Sequence, residues 1–115
     1  MKKRDIENPF RLFGSRRRTS VLVLLGLLEE SYPTELARLL GARLYSVQTI
    51  LDALESESVI VTRRLGRTRR VQLNPRYVAF DELKALLWKL GMHDRELQGA
   101  AAQKRGRPRR KGKRG

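Results

Sequence analysis

The stretch TELARLLGARLYSVQTILDALESESVIVTRRLGRTRRVQL, residues 34–73, changes its hydrophobic period once, and that change decides the fold class. Leu36, Leu39 and Leu40 form one stripe at helical spacing, and Val47, Ile50, Leu51 and Leu54 form a second. Residues three and four apart share one face of an α-helix, so each stripe marks an inward-facing side. After Ser58 the period falls to two, the spacing that sends alternate side chains to opposite faces of a strand. Gly41 separates the two helical stripes, and Gly66 sits in the short link between residues 59–64 and 69–73. The stretch predicts helices over 33–40 and 44–57, then a β-hairpin with Val71 and Leu73 turned in and Arg70 and Gln72 out.

Outward from this centre, Pro33 suits the first position of its helix, where the missing N–H costs nothing. The run VLVLLGLL at 21–28 predicts an earlier helix over 19–28, with Ser15, Thr19 and Ser20 as available caps. It is apolar on nearly all sides, so it is either central to the core or covered by a second copy of the chain. Downstream, Pro75 closes the hairpin. Leu83, Leu86, Leu87 and Leu90 mark a last helix over 81–90, beside Trp88 and ended by Gly91. The order is α-α-α-β-β-α, a mainly α fold with a β-hairpin wing. Residues 1–9 read as a flexible lead-in and 10–97 as the folded domain. Residues 98–115 offer nothing larger than alanine to a core and read as a disordered basic tail.

The 115 residues leave room for one domain. Lys and Arg number 26 against 12 Asp and Glu, a formal charge of +14, which points to a polyanionic partner. The longest apolar run has eight residues and cannot span a bilayer, and the basic start MKKRDIENPF lacks the apolar segment of a secretory signal. A cytoplasmic, nucleoid-associated protein of prokaryotic type is expected. There is no cysteine, which removes disulfides, thiolate metal sites and thiol nucleophiles together. His93 is the single histidine and is expected to be solvated rather than a ligand. Asp52, Glu55 and Glu57 have no histidine, glycine-rich phosphate loop or spaced carboxylate partners, so no enzyme, metal or cofactor is expected.

Two short helices followed by a hairpin rich in arginine suit double-stranded DNA. The second helix of such a pair fits the major groove, where each base pair presents a distinct donor and acceptor pattern. Its outward face carries Tyr45, Ser46, Gln48, Thr49 and Asp52. Gln48 can bond adenine bidentately, and Tyr45, Ser46 and Thr49 can reach bases or phosphates. Arg43 stands at the helix start, where a cation opposes the helix dipole and gains from a nearby phosphate. Asp52 either faces away from DNA or accepts from a cytosine amino group. A plain solvent face is the alternative for the whole helix.

The segment TRRLGRTRR, residues 62–70, holds five arginines and no acid. Arg63, Arg64, Arg67, Thr68, Arg69 and Arg70 are its candidate phosphate contacts, with Arg67 at the tip placed to reach a minor groove. The end of the chain, KRGRPRRKGKRG, adds Lys104, Arg105, Gly106, Arg107, Pro108, Arg109 and Arg110. Proline holds Arg107 extended, glycine lets the backbone approach a narrow groove, and A·T-rich minor grooves attract arginine. The RGRP core resembles an AT-hook; a nonspecific phosphate-binding tail is the alternative.

Residues 12–90 resemble the winged helix-turn-helix of the ArsR and MarR group of bacterial and archaeal transcription regulators. The matching stretches are LFGSRRRTSVLVLL, TELARLLG, SVQTILDALESESVIV and RRLGRTRRVQLNP. The resemblance implies a homodimer formed through the first and last helices, here 19–28 and 81–90, with two reading helices in successive major grooves. It departs from the metal-sensing members, which carry clusters of Cys and His. Two functions are thus expected to compete: a sequence-reading transcription regulator, or an architectural DNA binder in which hairpin and tail dominate.

Overall fold

A computed structural model describes residues 11–106, with side chains described up to residue 103. Along it run α1 (Arg16–Leu28), α2 (Pro33–Leu40), α3 (Leu44–Ser56), β1 (Ile60–Leu65), β2 (Thr68–Leu73), α4 (Phe80–Met92) and α5 (Arg95–Gly106). The protein is thus mainly helical, with one antiparallel hairpin among the described residues.

α1 begins one turn earlier than its apolar run because Ser15 is the cap in use: its Oγ accepts from the Arg18 N–H at 3.0 Å. Thr19 serves inside the helix, where its hydroxyl donates to the Ser15 carbonyl and accepts from the Phe13 N–H. Residues Val21, Leu22, Val23, Leu24, Leu25 and Leu27 are all buried, and α2 to α5 and β2 pack around them. The 19–28 helix is enclosed by its own chain, because the other helices together supply the apolar cover that a helix greasy on all sides requires.

α2 ends at Gly41, whose left-handed φ of 63° lets its N–H return to the Ala37 and Arg38 carbonyls. Three residues later α3 starts, burying Val47, Leu51 and Leu54. The hairpin register runs from Ile60 opposite Leu73 to Leu65 opposite Thr68, leaving Gly66 and Arg67 as a two-residue turn. Gly66 has φ 64°, the left-handed value that such tight turns demand. Val71 and Leu73 are buried, and β2 also bridges Ser31 on its other edge, with Ser31 N–H to Val71 C=O at 3.0 Å and the reverse bond at 2.9 Å. The Ser31 hydroxyl donates in turn to the buried Glu35 carboxylate at 2.6 Å, so the hairpin base is tied to the first turn of α2.

α4 crosses α1 at a close approach. A Cβ on Gly26 would lie 2.8 Å from the Leu87 Cβ, and one on Gly91 would lie 2.8 Å from a Leu27 methyl. The predicted leucine stripe on this helix is only partly inward. At 100° per residue Leu83, Leu87, Leu90 and Gly91 share one arc, whereas Leu86 lies 100° from Leu87 and stays exposed.

The largest departure from expectation is α5. Residues 98–106, read as the start of a disordered tail, continue a helix that Asp94 caps through its Oδ1, which accepts from the Leu97 N–H at 3.0 Å. Leu97, Ala100 and Ala101 are buried against the rest of the domain. Alanine adds little area, but it has the highest helix propensity and lets a helix lie close to its neighbours.

Candidate nucleic-acid interface

The helical period places Val47, Leu51 and Leu54 inward, and the opposite side of α3 is open. Tyr45 is 78 % exposed, Arg43, Gln48, Thr49 and Asp52 are exposed, and Ser46 is half-buried. The Thr49 hydroxyl donates to the Tyr45 carbonyl at 3.0 Å, which leaves its lone pairs to accept from a ligand. Arg43 is the N-cap residue of α3 and makes no capping bond through its side chain.

Beside this face a groove of about 550 Å³ opens between α2, α3 and the hairpin. Gln48 reaches it from α3, and Tyr32, Pro33 and Thr34 border it at the start of α2. Arg64, Arg67, Thr68, Arg69 and Arg70 form the hairpin side. Gln48 and the hairpin arginines, far apart in sequence, are thus brought into one concavity.

The five hairpin arginines do not play one part. Arg69, 17 % exposed, lies between two acids of α3, with Nη2 3.0 Å from Asp52 Oδ1 and 3.2 Å from Glu55 Oε1. This pairing accounts for Asp52, whose carboxylate accepts from the hairpin. Arg63 pairs with Glu30 at 3.2 Å. Arg70 lies over the Tyr32 ring, 5.4 Å from its centroid, and its buried Nε has no hydrogen-bond partner among the described residues. Arg43, Arg64 and Arg67 have no acidic partner among the described residues and keep their full field for an outside anion.

The sequence reading does not single out Tyr32 and Thr34, which border this groove. Thr34 and Arg38 are exposed at i and i+4 on α2, off the buried side of Leu36 and Ala37, a pattern legible in the sequence but overshadowed by the longer polar face of α3. Of the tail candidates, the backbone of Lys104, Arg105 and Gly106 forms the last turn of α5 rather than an extended strand. Arg107, Pro108, Arg109 and Arg110 lie outside the described residues. No helix among the described residues is long and apolar enough to cross a membrane.

One expected result follows from the pairing of Arg69. Arg69→Met keeps the aliphatic stem and removes the tie to α3, so hairpin amide protons should exchange faster with solvent, at a stability cost of no more than about 1 kcal/mol because both acids are largely exposed. Unchanged exchange in β2 would mean that the ion pairs do not hold the hairpin. No protein-family model, curated protein or solved structure matches this chain.

Proposed function

We propose that this chain is a winged helix-turn-helix protein that binds double-stranded DNA and regulates transcription. α3 is the reading helix and the hairpin is the wing. The observation that carries the reading is the position of Gln48, a planar amide able to make a bidentate bond to adenine, in a groove shared with Arg64 and Arg67. In a +14 chain, these two cations have no acidic partner among the described residues. Phosphates along the groove walls would do so and release counterions, while the amide meets base edges. The acids of the same helix, Asp52 and Glu55, are engaged by Arg69, which lessens their repulsion of a duplex.

The test is selection of bound duplexes from a random pool at ~0.15 M salt, where nonspecific attraction is damped. The full chain and a copy ending at Gly106 are compared. A two-fold symmetric motif kept by the shorter chain supports a regulator. No motif, or A·T enrichment that disappears with the removed residues, supports an architectural binder, the reading that the charge of +14 favours. A chain that enriches no duplex and shows no salt-dependent retention of DNA would overturn both.

Within the selected motif, Gln48→Ala should relax preference at one position and lose ~1–3 kcal/mol of discrimination. Identical preferences for both proteins across the site library would remove Gln48 as a reader.

A further inference from the structure

The tip of the hairpin holds out an apolar side chain. Leu65, the last residue of β1, is 49 % exposed and immediately precedes the two-residue turn of Gly66 and Arg67. A Cβ built on Gly66 would meet nothing within 4 Å, so the turn projects into open space. Strand alternation sets Leu65 on the face it shares with Arg63 and Thr68, opposite the face from which Arg69 reaches α3. Arg64 and Arg67 flank it in sequence, both exposed and without an acidic partner among the described residues. A single exposed leucine is ordinary on a protein surface. One presented at a projecting tip between two unneutralised cations has a ligand chemistry of its own.

The hairpin behind this tip is braced on both faces. On one, Arg63 pairs with Glu30 and Arg70 lies over the Tyr32 ring; on the other, Asp52 and Glu55 hold Arg69. Nearer the base, Val71 exchanges both of its backbone hydrogen bonds with Ser31. The side-chain ties end at Arg63 and Arg69, so residues 64–68 stand beyond the last strut. A short tip on a braced stem can press on what it meets without folding back.

We propose, on the strength of the DNA reading above, that Leu65 is a wedge that enters the minor groove, presses into a base step and bends the duplex. One leucine is too little apolar surface for a protein interface, but it is what a base step accepts. Aliphatic side chains inserted from the minor groove partly unstack a step and bend the duplex towards the major groove by ~20–90°. Arg64 and Arg67 meet phosphates on either side of the wedge, and Gly66, which adds no side chain, keeps the tip slim against a groove ~6 Å wide. Pyrimidine–purine steps unstack most easily, so the wedge favours them without a hydrogen bond to any base.

A linear fragment of ~100 bp is shorter than the ~150 bp persistence length of DNA, so ligase rarely closes it into a circle unless something bends it. The experiment titrates such a fragment, of mixed sequence, with the full chain, with Leu65→Ala and with Leu65→Met, and measures first its retention and then the yield of closed circles. The full chain should raise that yield above the bare fragment's. Methionine is also a wedge residue, so Leu65→Met should keep the increase, whereas Leu65→Ala should return the yield to that of the bare fragment. Retention should differ less than ~threefold among the three proteins, because burial of the side chain and unstacking of the step offset each other.

A fragment that is retained but not circularised overturns the wedge and leaves the DNA reading standing. Equal circle yields for the full chain and Leu65→Ala also overturn it, since the bend then arises elsewhere on the chain. So does a methionine variant that closes no more circles than the alanine variant. A fragment that is not retained at all removes the DNA reading and the wedge together. Leu65 lies outside the buried core, and far-ultraviolet circular dichroism of each variant separates a lost wedge from lost folding.

Discussion

Gly26→Ala is expected to lower the melting temperature by ~5–10 °C, although alanine is the better helix former. The new Cβ would stand 2.8 Å from the Leu87 Cβ and 3.8 Å from the Leu87 carbonyl carbon, atoms that cannot rotate away. α1 and α4 must then separate at the centre of the core. Overpacking of this kind costs ~1–3 kcal/mol or more, against a gain of ~1 kcal/mol in helix propensity. A net loss of ~1–2 kcal/mol corresponds to several degrees for a chain of this size. Gly91→Ala is the internal control. Its Cβ would meet the methyl groups and Cγ of Leu27, the mobile end of a side chain, so its cost should be smaller. Thermal denaturation of both variants checks the order, and a Gly91 variant less stable than the Gly26 variant would contradict the described crossing.

Raising salt from ~0.05 to ~0.2 M should weaken binding to any duplex by ~10³-fold, the loss expected when about six phosphates are neutralised. Removing Arg64 and Arg67 together, as alanine, should cut the slope of log affinity against log salt by about two. Arg69→Met should leave that slope nearly unchanged, because Asp52 and Glu55 already hold this cation. Titrations of one labelled duplex at four salt concentrations distinguish the three proteins. Equal slopes for all of them would place the phosphate contacts elsewhere on the chain.

The helices and the hairpin were legible in the sequence wherever periodicity and punctuation agreed. Gly41, Pro33 and Gly66 stand where a helix stop, a helix start and a tight turn need them, and the bounds of α2 and α3 follow to within a residue. α5 was illegible for a physical reason. Large side chains at helical spacing are what mark burial in a sequence, yet Ala100 and Ala101 become buried by closeness rather than by size. Asp94 followed three residues later by Leu97, and then by three alanines, was the available signal. At the candidate site, α3 announced itself by its polar face, whereas the division of labour among the arginines depended on acids distant in sequence. Arg63 meets Glu30 and Arg69 meets Asp52 only after folding.

The pairing of β2 with Ser31 has a consequence for handling the protein. β2 is bridged on its outer edge at Val71 by Ser31, whereas β1 has no such bridge among the described residues and offers the more open backbone edge. Open edges template the stacking of one chain on another, the first step towards fibrous or amorphous precipitate. Here that edge bears Arg63 and Arg64, and two such edges approaching each other would crowd four guanidinium groups together. The safeguard is electrostatic and fades as ions are added, with a screening length of ~3 Å at 1 M. Concentrated salt, the usual means of stripping nucleic acid from a basic protein during purification, therefore also removes its protection against aggregation, and a brief high-salt wash suits this chain better than storage in one.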